Sequence, residues 1–331
     1  MALLEVRDLT VTLQTHRGPA RAVRDASFTL ERGETLGLIG ESGCGKSITV
    51  LALMGLLPEN AKVEGSIRFD GRELVGLGER EMCTIRGNRI GMIFQEPMTA
   101  LNPVHSIGRQ VAEPLRLHRG LSRDAARKEA IALLDRVGIP HAAQRIDAYP
   151  HQFSGGQRQR VTIAMALACG PHLLIADEPT TALDVTIQKQ ILELIHGLVE
   201  ERGMALMLIS HDLGVIAQNV ARMLVMYGGS VVESGPTGTV FSHMMHPYTR
   251  GLFAARPGLG ALRGKRLATI PGTVPELADL PPGCPFAGRC RFTIPECNAA
   301  MPAPVEVDPG HLARCIRLDA VAQEAAAGAH E

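Results

Sequence analysis

No apolar run in this chain approaches the length of about 20 residues that a membrane-spanning helix needs. Nor is there a surplus of charge. Lys and Arg number 34 against 34 Asp and Glu, which leaves no electrostatic footprint for nucleic acid. A secretory signal is missing from the start, where Leu3 to Thr10 alternates apolar with charged residues like a strand. The expectation is a soluble chain that meets a membrane only through a partner. What is present is ample core material, 45 % hydrophobic residues in a chain of 331, enough for about two domains.

Gly40 to Ser47 reads GESGCGKS, the pattern of a phosphate-binding loop whose backbone N–H groups close on phosphate oxygens. Gly40, Glu41, Ser42, Gly43, Cys44 and Gly45 form the loop, Lys46 would reach the outer phosphates, and Ser47 would ligate Mg²⁺. The flanks suit that chemistry. Glu34 to Ile39 reads as a buried strand and Ile48 to Leu57 as an apolar helix, whose N-terminus favours anions. His172 to Pro179 (HLLIADEP) is an apolar strand ending in two acids. Asp177 is placed to hold Mg²⁺ and Glu178 to polarise a water. Together these elements predict binding of a nucleoside triphosphate.

Phe153 to Arg160 reads FSGGQRQR and opens a helical stretch over Arg160 to Cys169. Alone, Ser154 could be an ordinary N-cap. Between the phosphate loop and the acidic strand, however, Ser154, Gly155, Gly156 and Gln157 resemble the signature of ATP-binding cassette (ABC) proteins. Gln95 then resembles the Q-loop glutamine, Thr181 to Asp184 (TALD) the D-loop and His211 the switch histidine. The resemblance covers residues 1 to about 235. It implies a P-loop α/β fold with a RecA-like parallel-sheet core, an antiparallel β subdomain and a helical subdomain at about 97–160. It also implies ATP with Mg²⁺ held by Ser47, Gln95 and Asp177, Glu178 as base and His211 as the orienting group. The signature residues would act on ATP held by another subunit in a head-to-tail dimer. One departure is the missing aromatic residue for the adenine, with Leu13 about where it would stand.

Strand-like alternation over 3–13, 22–30 and 63–70, with a hairpin turn at Asp70-Gly71, fits the β subdomain. Arg123 to Val137 carries a charged face and an apolar stripe. Val220 to Ser234 resembles a closing hairpin. Proline and glycine then become dense, notably over Pro271 to Gly283, and mark a separate, loop-rich module over 236–331, whose alanine-rich end from Ala320 is expected to fray.

The strings YPHQFSGGQRQR, IADEPTTALDVTIQ, ISHDLGVIA and HPYTRGL resemble the ATPase subunits of oligopeptide and dipeptide ABC importers. That resemblance spans nearly the whole chain. It implies a second, non-identical ATPase, two permease subunits, an external substrate-binding protein and a place on the cytoplasmic face of the bacterial inner membrane. Nickel importers share the cassette but usually lack so long a tail. Soluble cassette proteins of DNA repair or iron–sulfur assembly fit neither the single cassette nor the tail.

Four of the seven cysteines fall in the tail as Cys284-x5-Cys290-x6-Cys297-x17-Cys315. Disulfides do not suit a cytosolic chain, and zinc usually takes C-x2–4-C knuckles. Zinc, unligated thiols and an iron–sulfur cluster all stay open. The importer resemblance implies a 4Fe–4S cluster, expected to be structural and remote from ATP. Cys44 is read as a small loop residue whose alkylation would block nucleotide access.

Overall fold

A computed structural model of the chain describes residues 2–181, 183–255 and 269–328. In chain order the strands are β1 (Leu4–Thr15), β2 (Gly18–Leu30), β3 (Thr35–Ile39), β4 (Lys62–Phe69), β5 (Arg72–Glu73), β6 (Ile90–Ile93), β7 (Leu173–Asp177), β8 (Ala205–Ser210), β9 (Arg222–Tyr227), β10 (Ser230–Pro236), β11 (Val305–Asp308) and β12 (His311–Ala313). The helices are α1 (Lys46–Leu53), α2 (Glu79–Ile85), α3 (Pro97–Ala100), α4 (Ile107–Arg119), α5 (Arg123–Arg136), α6 (Ala142–Arg145), α7 (Gly155–Leu167), α8 (Val185–Arg202), α9 (Leu213–Asn219), α10 (Thr237–Ser242), α11 (Pro247–Ala254) and α12 (Leu318–Gly328). Among the described residues, no helix is long and apolar enough to cross a membrane.

The chain divides into two compact units. The first holds Leu30–Thr35 and Phe69–Ile209. In it β6, β7 and β8 pair in parallel. Every residue of β7 and β8 is buried, in the near-continuous apolar runs of strands covered on both faces. Between β6 and β7 the chain is helical. Ser106 and Ser122 cap α4 and α5 by accepting from Arg109 N–H and Ala125 N–H, and Gly120 ends α4 in the left-handed region that glycine favours. At Asp70-Gly71 both residues have positive φ, 51° and 80°, as a type I′ hairpin turn requires.

The second unit holds Glu5–Thr29, Leu36–Arg68 and the residues from Ser210 onward. Its strands run β11-β12-β10-β9-β3 in one sheet and β2-β1-β4 in another. β9 and β10 form an antiparallel hairpin, β3 joins β9 in parallel, and β12 adds antiparallel to β10.

Through that last pairing the tail contributes strands to the same sheet as β3, and the boundary expected at 235 falls within β10. Buried His311 explains the attachment. It hydrogen-bonds Glu233 of β10 at 2.8 Å, and both side chains are fully buried. Of the alanine-rich end, α12 runs to Gly328, and the residues after it lie outside the described ones. Val321 is fully buried, and Arg250 donates to its carbonyl at 2.6 Å.

Candidate ATP site and cysteine cluster

The phosphate loop links β3 to α1 within the second unit, and its glycines are fixed by close backbone approach. A Cβ on Gly40 would lie 2.2 Å from the Met226 carbonyl oxygen, and one on Gly45 2.6 Å from that of Ala22. Gly45 also sits at φ 104°, immediately before α1. Lys46 is 5 % exposed, and its Nζ donates to the Gly40 carbonyl at 2.8 Å and the Glu41 carbonyl at 3.1 Å. An ammonium folded over loop carbonyls in this way is poised to exchange them for phosphate oxygens. Ser47 follows it in the first turn of α1. Leu13 lies half-buried on β1.

Cys44 is enclosed within the loop. It is 1 % exposed, and burial pushes its thiol up from the ordinary range. A buried thiol held as the neutral acid is a poor target for alkylation.

The acids lie in the first unit. Asp177 ends β7 and is 5 % exposed. Glu178 has φ 46°, a conformation that costs a non-glycine residue energy and concentrates at functional sites. Its N–H donates to the Ile209 carbonyl at 3.0 Å. Its Oε2 accepts from Gln95 Nε2 at 3.2 Å and from the Thr181 hydroxyl at 3.0 Å. Gln95 and Glu178 are thus brought together. His211 is exposed and follows β8, beside Asp212, which caps α9 by accepting from Gly214 N–H.

The signature helix begins earlier than the expected Arg160. Ser154 is its N-cap, in a reciprocal capping box with Gln157 at the head of α7. The bland and the functional readings of Ser154 coexist. Ser154, Gly155, Gly156 and Gln157 line one open groove with Asp184. Asp184 caps α8 by accepting from Ile187 N–H at 3.0 Å. A Cβ on Gly156 would lie 2.8 Å from the Ile187 side chain, so glycine lets α7 approach α8 closely.

In the second unit Cys284, Cys290, Cys297 and Cys315 line a single small pocket. The local chain is held by short 3₁₀ turns and by Cys284 N–H donating to the Cys297 carbonyl at 2.8 Å. Burial, reinforced by the neighbouring thiols, pushes Cys284 up to about 11, and burial also raises Cys290 and Cys315.

The cysteine segment also reaches the phosphate loop. Arg289, immediately before Cys290, pairs through Nη1 with Glu41 Oε2 of the loop at 2.8 Å. The Tyr248 hydroxyl accepts from Glu41 N–H at 2.8 Å. The N–H and the carboxylate of Glu41 are therefore engaged by the C-terminal segment. Neither Arg289 nor Tyr248 stood out as a site residue, since contacts between distant parts of a chain leave no local pattern. The HPY string alone hinted at Tyr248.

Comparison with known proteins agrees with these features. Residues 23–181 match the ABC transporter family and residues 232–297 the oligopeptide/dipeptide transporter C-terminal region. A peptide import ATP-binding protein of Brucella melitensis is 51 % identical over 97 % of this chain and 98 % of its own length. The oligopeptide transport ATP-binding protein OppD of Salmonella typhimurium is 51 % identical over 95 % of this chain and 93 % of its own. A dimeric ATP-binding cassette solved in a post-hydrolysis state with ADP and phosphate superposes with a TM-score of 0.64 at 30 % identity, over 71 % of this chain and 98 % of that one. With its phosphate loop, its signature and a C-terminal region matched along nearly the full length, the chain belongs to the ABC transporter family, among the ATP-binding subunits of oligopeptide and dipeptide importers.

Proposed function

We propose that this chain hydrolyses ATP to drive import of di- and oligopeptides across the bacterial inner membrane. The observation that carries this reading is the joint match of one chain to the ABC transporter family and to the oligopeptide/dipeptide transporter C-terminal region. Lys46 and the loop amides bind the outer phosphates, and Ser47, Gln95 and Asp177 would hold an accompanying Mg²⁺, which would supply charge neutralisation at the phosphates. Glu178 takes the proton of the attacking water. Its contact with Gln95 and Thr181 keeps the carboxylate in one orientation, and His211 orients the water. Ser154 to Gln157 with Asp184 form the face presented to ATP on a second subunit, so the working unit is a head-to-tail dimer with a non-identical ATPase. Two permease subunits attach it to the cytoplasmic face of the membrane, and an external binding protein supplies peptide. Residues 1–235 carry the cassette chemistry, 97–160 the permease-facing helices, and 236–331 the extension.

The four cysteines are read as ligands of a structural 4Fe–4S cluster. Supporting this, all four line one pocket, and burial raises Cys284, Cys290 and Cys315, a state that ligation as thiolates relieves. Purification of the tagged chain from its native host tests the assignment. Two permeases and a second ATPase should copurify, whereas a chain recovered only with soluble partners overturns it.

A further inference from the structure

The second residue of the phosphate loop, Glu41, is gripped twice by the C-terminal segment. Its backbone N–H is donated to the Tyr248 hydroxyl at 2.8 Å, and its carboxylate receives Arg289 through Nη1 at 2.8 Å and Nη2 at 3.4 Å. Arg289 is 6 % exposed, yet every one of its N–H groups has a partner. Nε donates to the Pro271 carbonyl, Nη1 also to the Tyr227 hydroxyl, and Nη2 also to the Ile270 carbonyl. A planar guanidinium satisfied in this way holds its carboxylate in one place, as an ammonium could not. Burial drives the Tyr248 hydroxyl far above the usual phenol range, so it remains a neutral acceptor for the Glu41 amide.

Both side chains are anchored by the cysteine cluster. Arg289 adjoins Cys290. Phe286, two residues after Cys284, packs edge-on against Tyr227 at 5.1 Å and tilted against Tyr248 at 5.4 Å. From the other side, Glu233 accepts from Met245 and His246 N–H, and His246 Nδ1 accepts from Tyr248 N–H, which fixes the head of α11.

We propose that Arg289 and Tyr248 are positioning residues for the phosphate loop: they clamp Glu41, so that affinity for ATP depends on the fold of the four-cysteine segment. The clamp holds whichever metal the cysteines take. It rests on reading Gly40–Ser47 as the ATP loop, and Lys46→Ala separates the two claims.

The test uses the full chain assembled with its transporter partners, with KM and kcat for ATP, equilibrium ATP affinity and metal content measured together. Arg289→Met and Glu41→Gln should each weaken ATP binding by about tenfold, the scale of one lost charged contact. The loss should fall on KM more than on kcat. The double variant should be no worse than the weaker single one, because both remove one interaction. Arg289→Lys should recover part of the affinity, and Tyr248→Phe should lose about threefold. Wild-type affinity in Arg289→Met and Glu41→Gln overturns the clamp, as does a double variant whose loss is the product of the two. If Arg289→Met does not fold, Glu41→Gln decides alone, since it leaves the cysteine segment unaltered. Unchanged ATP binding in Lys46→Ala would instead overturn the loop assignment.

Discussion

The phosphate loop and the four-cysteine segment belong to one compact unit and touch through Glu41 and Arg289, but they hold their shapes by different means. The loop is fixed by its own backbone, between the buried strand β3 and helix α1, with glycines where carbonyls crowd the chain. The cysteine segment has short 3₁₀ turns, side-chain bonds and a pocket lined by four thiols. Such a segment has little apolar area to bury and gains stability from ligation. The contrast teaches that chemistry and scaffolding are separately encoded here and meet at the clamp.

That contrast can be broken most directly in the cassette. Glu178→Gln should reduce steady-state ATP hydrolysis of the assembled transporter by about 10²- to 10⁴-fold, the range of a lost general base. ATP affinity and metal content should stay at wild-type values, as equilibrium binding and metal analysis would record. Hydrolysis near the wild-type rate would move the base elsewhere.

The reverse perturbation is Cys290→Ser. Anaerobically purified wild-type chain should be brown, with about four irons and matching labile sulfide. The variant should lose that colour and unfold at a temperature several degrees lower in calorimetry. Stoichiometric zinc without sulfide in the wild type would replace the cluster with a zinc site.

A third perturbation acts across subunits. Ser154→Arg leaves the chain's own phosphate loop intact, so ATP affinity should change little while hydrolysis by the assembled dimer falls by about tenfold or more. Light scattering should find the isolated wild-type chain monomeric without ATP. A fully active isolated monomer would exclude the shared site.

The smallest expected effect is a pH dependence that belongs to the C-terminal segment. Burial lowers His246 to about 4, against a weaker opposing effect of Glu233, so the folded state favours the neutral ring. Its contribution to stability is complete above about 6.5 and is lost as pH falls toward 4, on the order of 3 kcal/mol in all. Denaturant titrations between pH 7 and 4 should register this slope. His246→Asn, which keeps a side-chain cap for α11 without a titrating ring, should flatten it.

Much of the site was legible because its chemistry is local. Gly40 to Ser47, Asp177 with Glu178, and Ser154 to Gln157 are each runs of consecutive residues, so the pattern pointed to the loop and the acids, and the cassette resemblance to the signature. The apolar runs of β7 and β8 were equally plain. What escaped depends on tertiary contact. β12 pairs with β10 through the buried Glu233–His311 contact, and no periodicity in the tail announces it. The burial of Cys44 follows from the approach of Gly40 and Met226, which a loop pattern cannot reveal. Val321, rather than helix propensity alone, holds α12 in place.

The central claim is that this chain converts ATP hydrolysis into peptide import. The most direct measurement is uptake of a labelled oligopeptide by membrane vesicles carrying the complete transporter and its binding protein, with ATP supplied on the side of this chain. The account predicts peptide accumulation that requires ATP and stops when the chain carries Glu178→Gln. Accumulation of nickel or another small solute in place of peptide, or peptide uptake that continues without ATP hydrolysis, would contradict it.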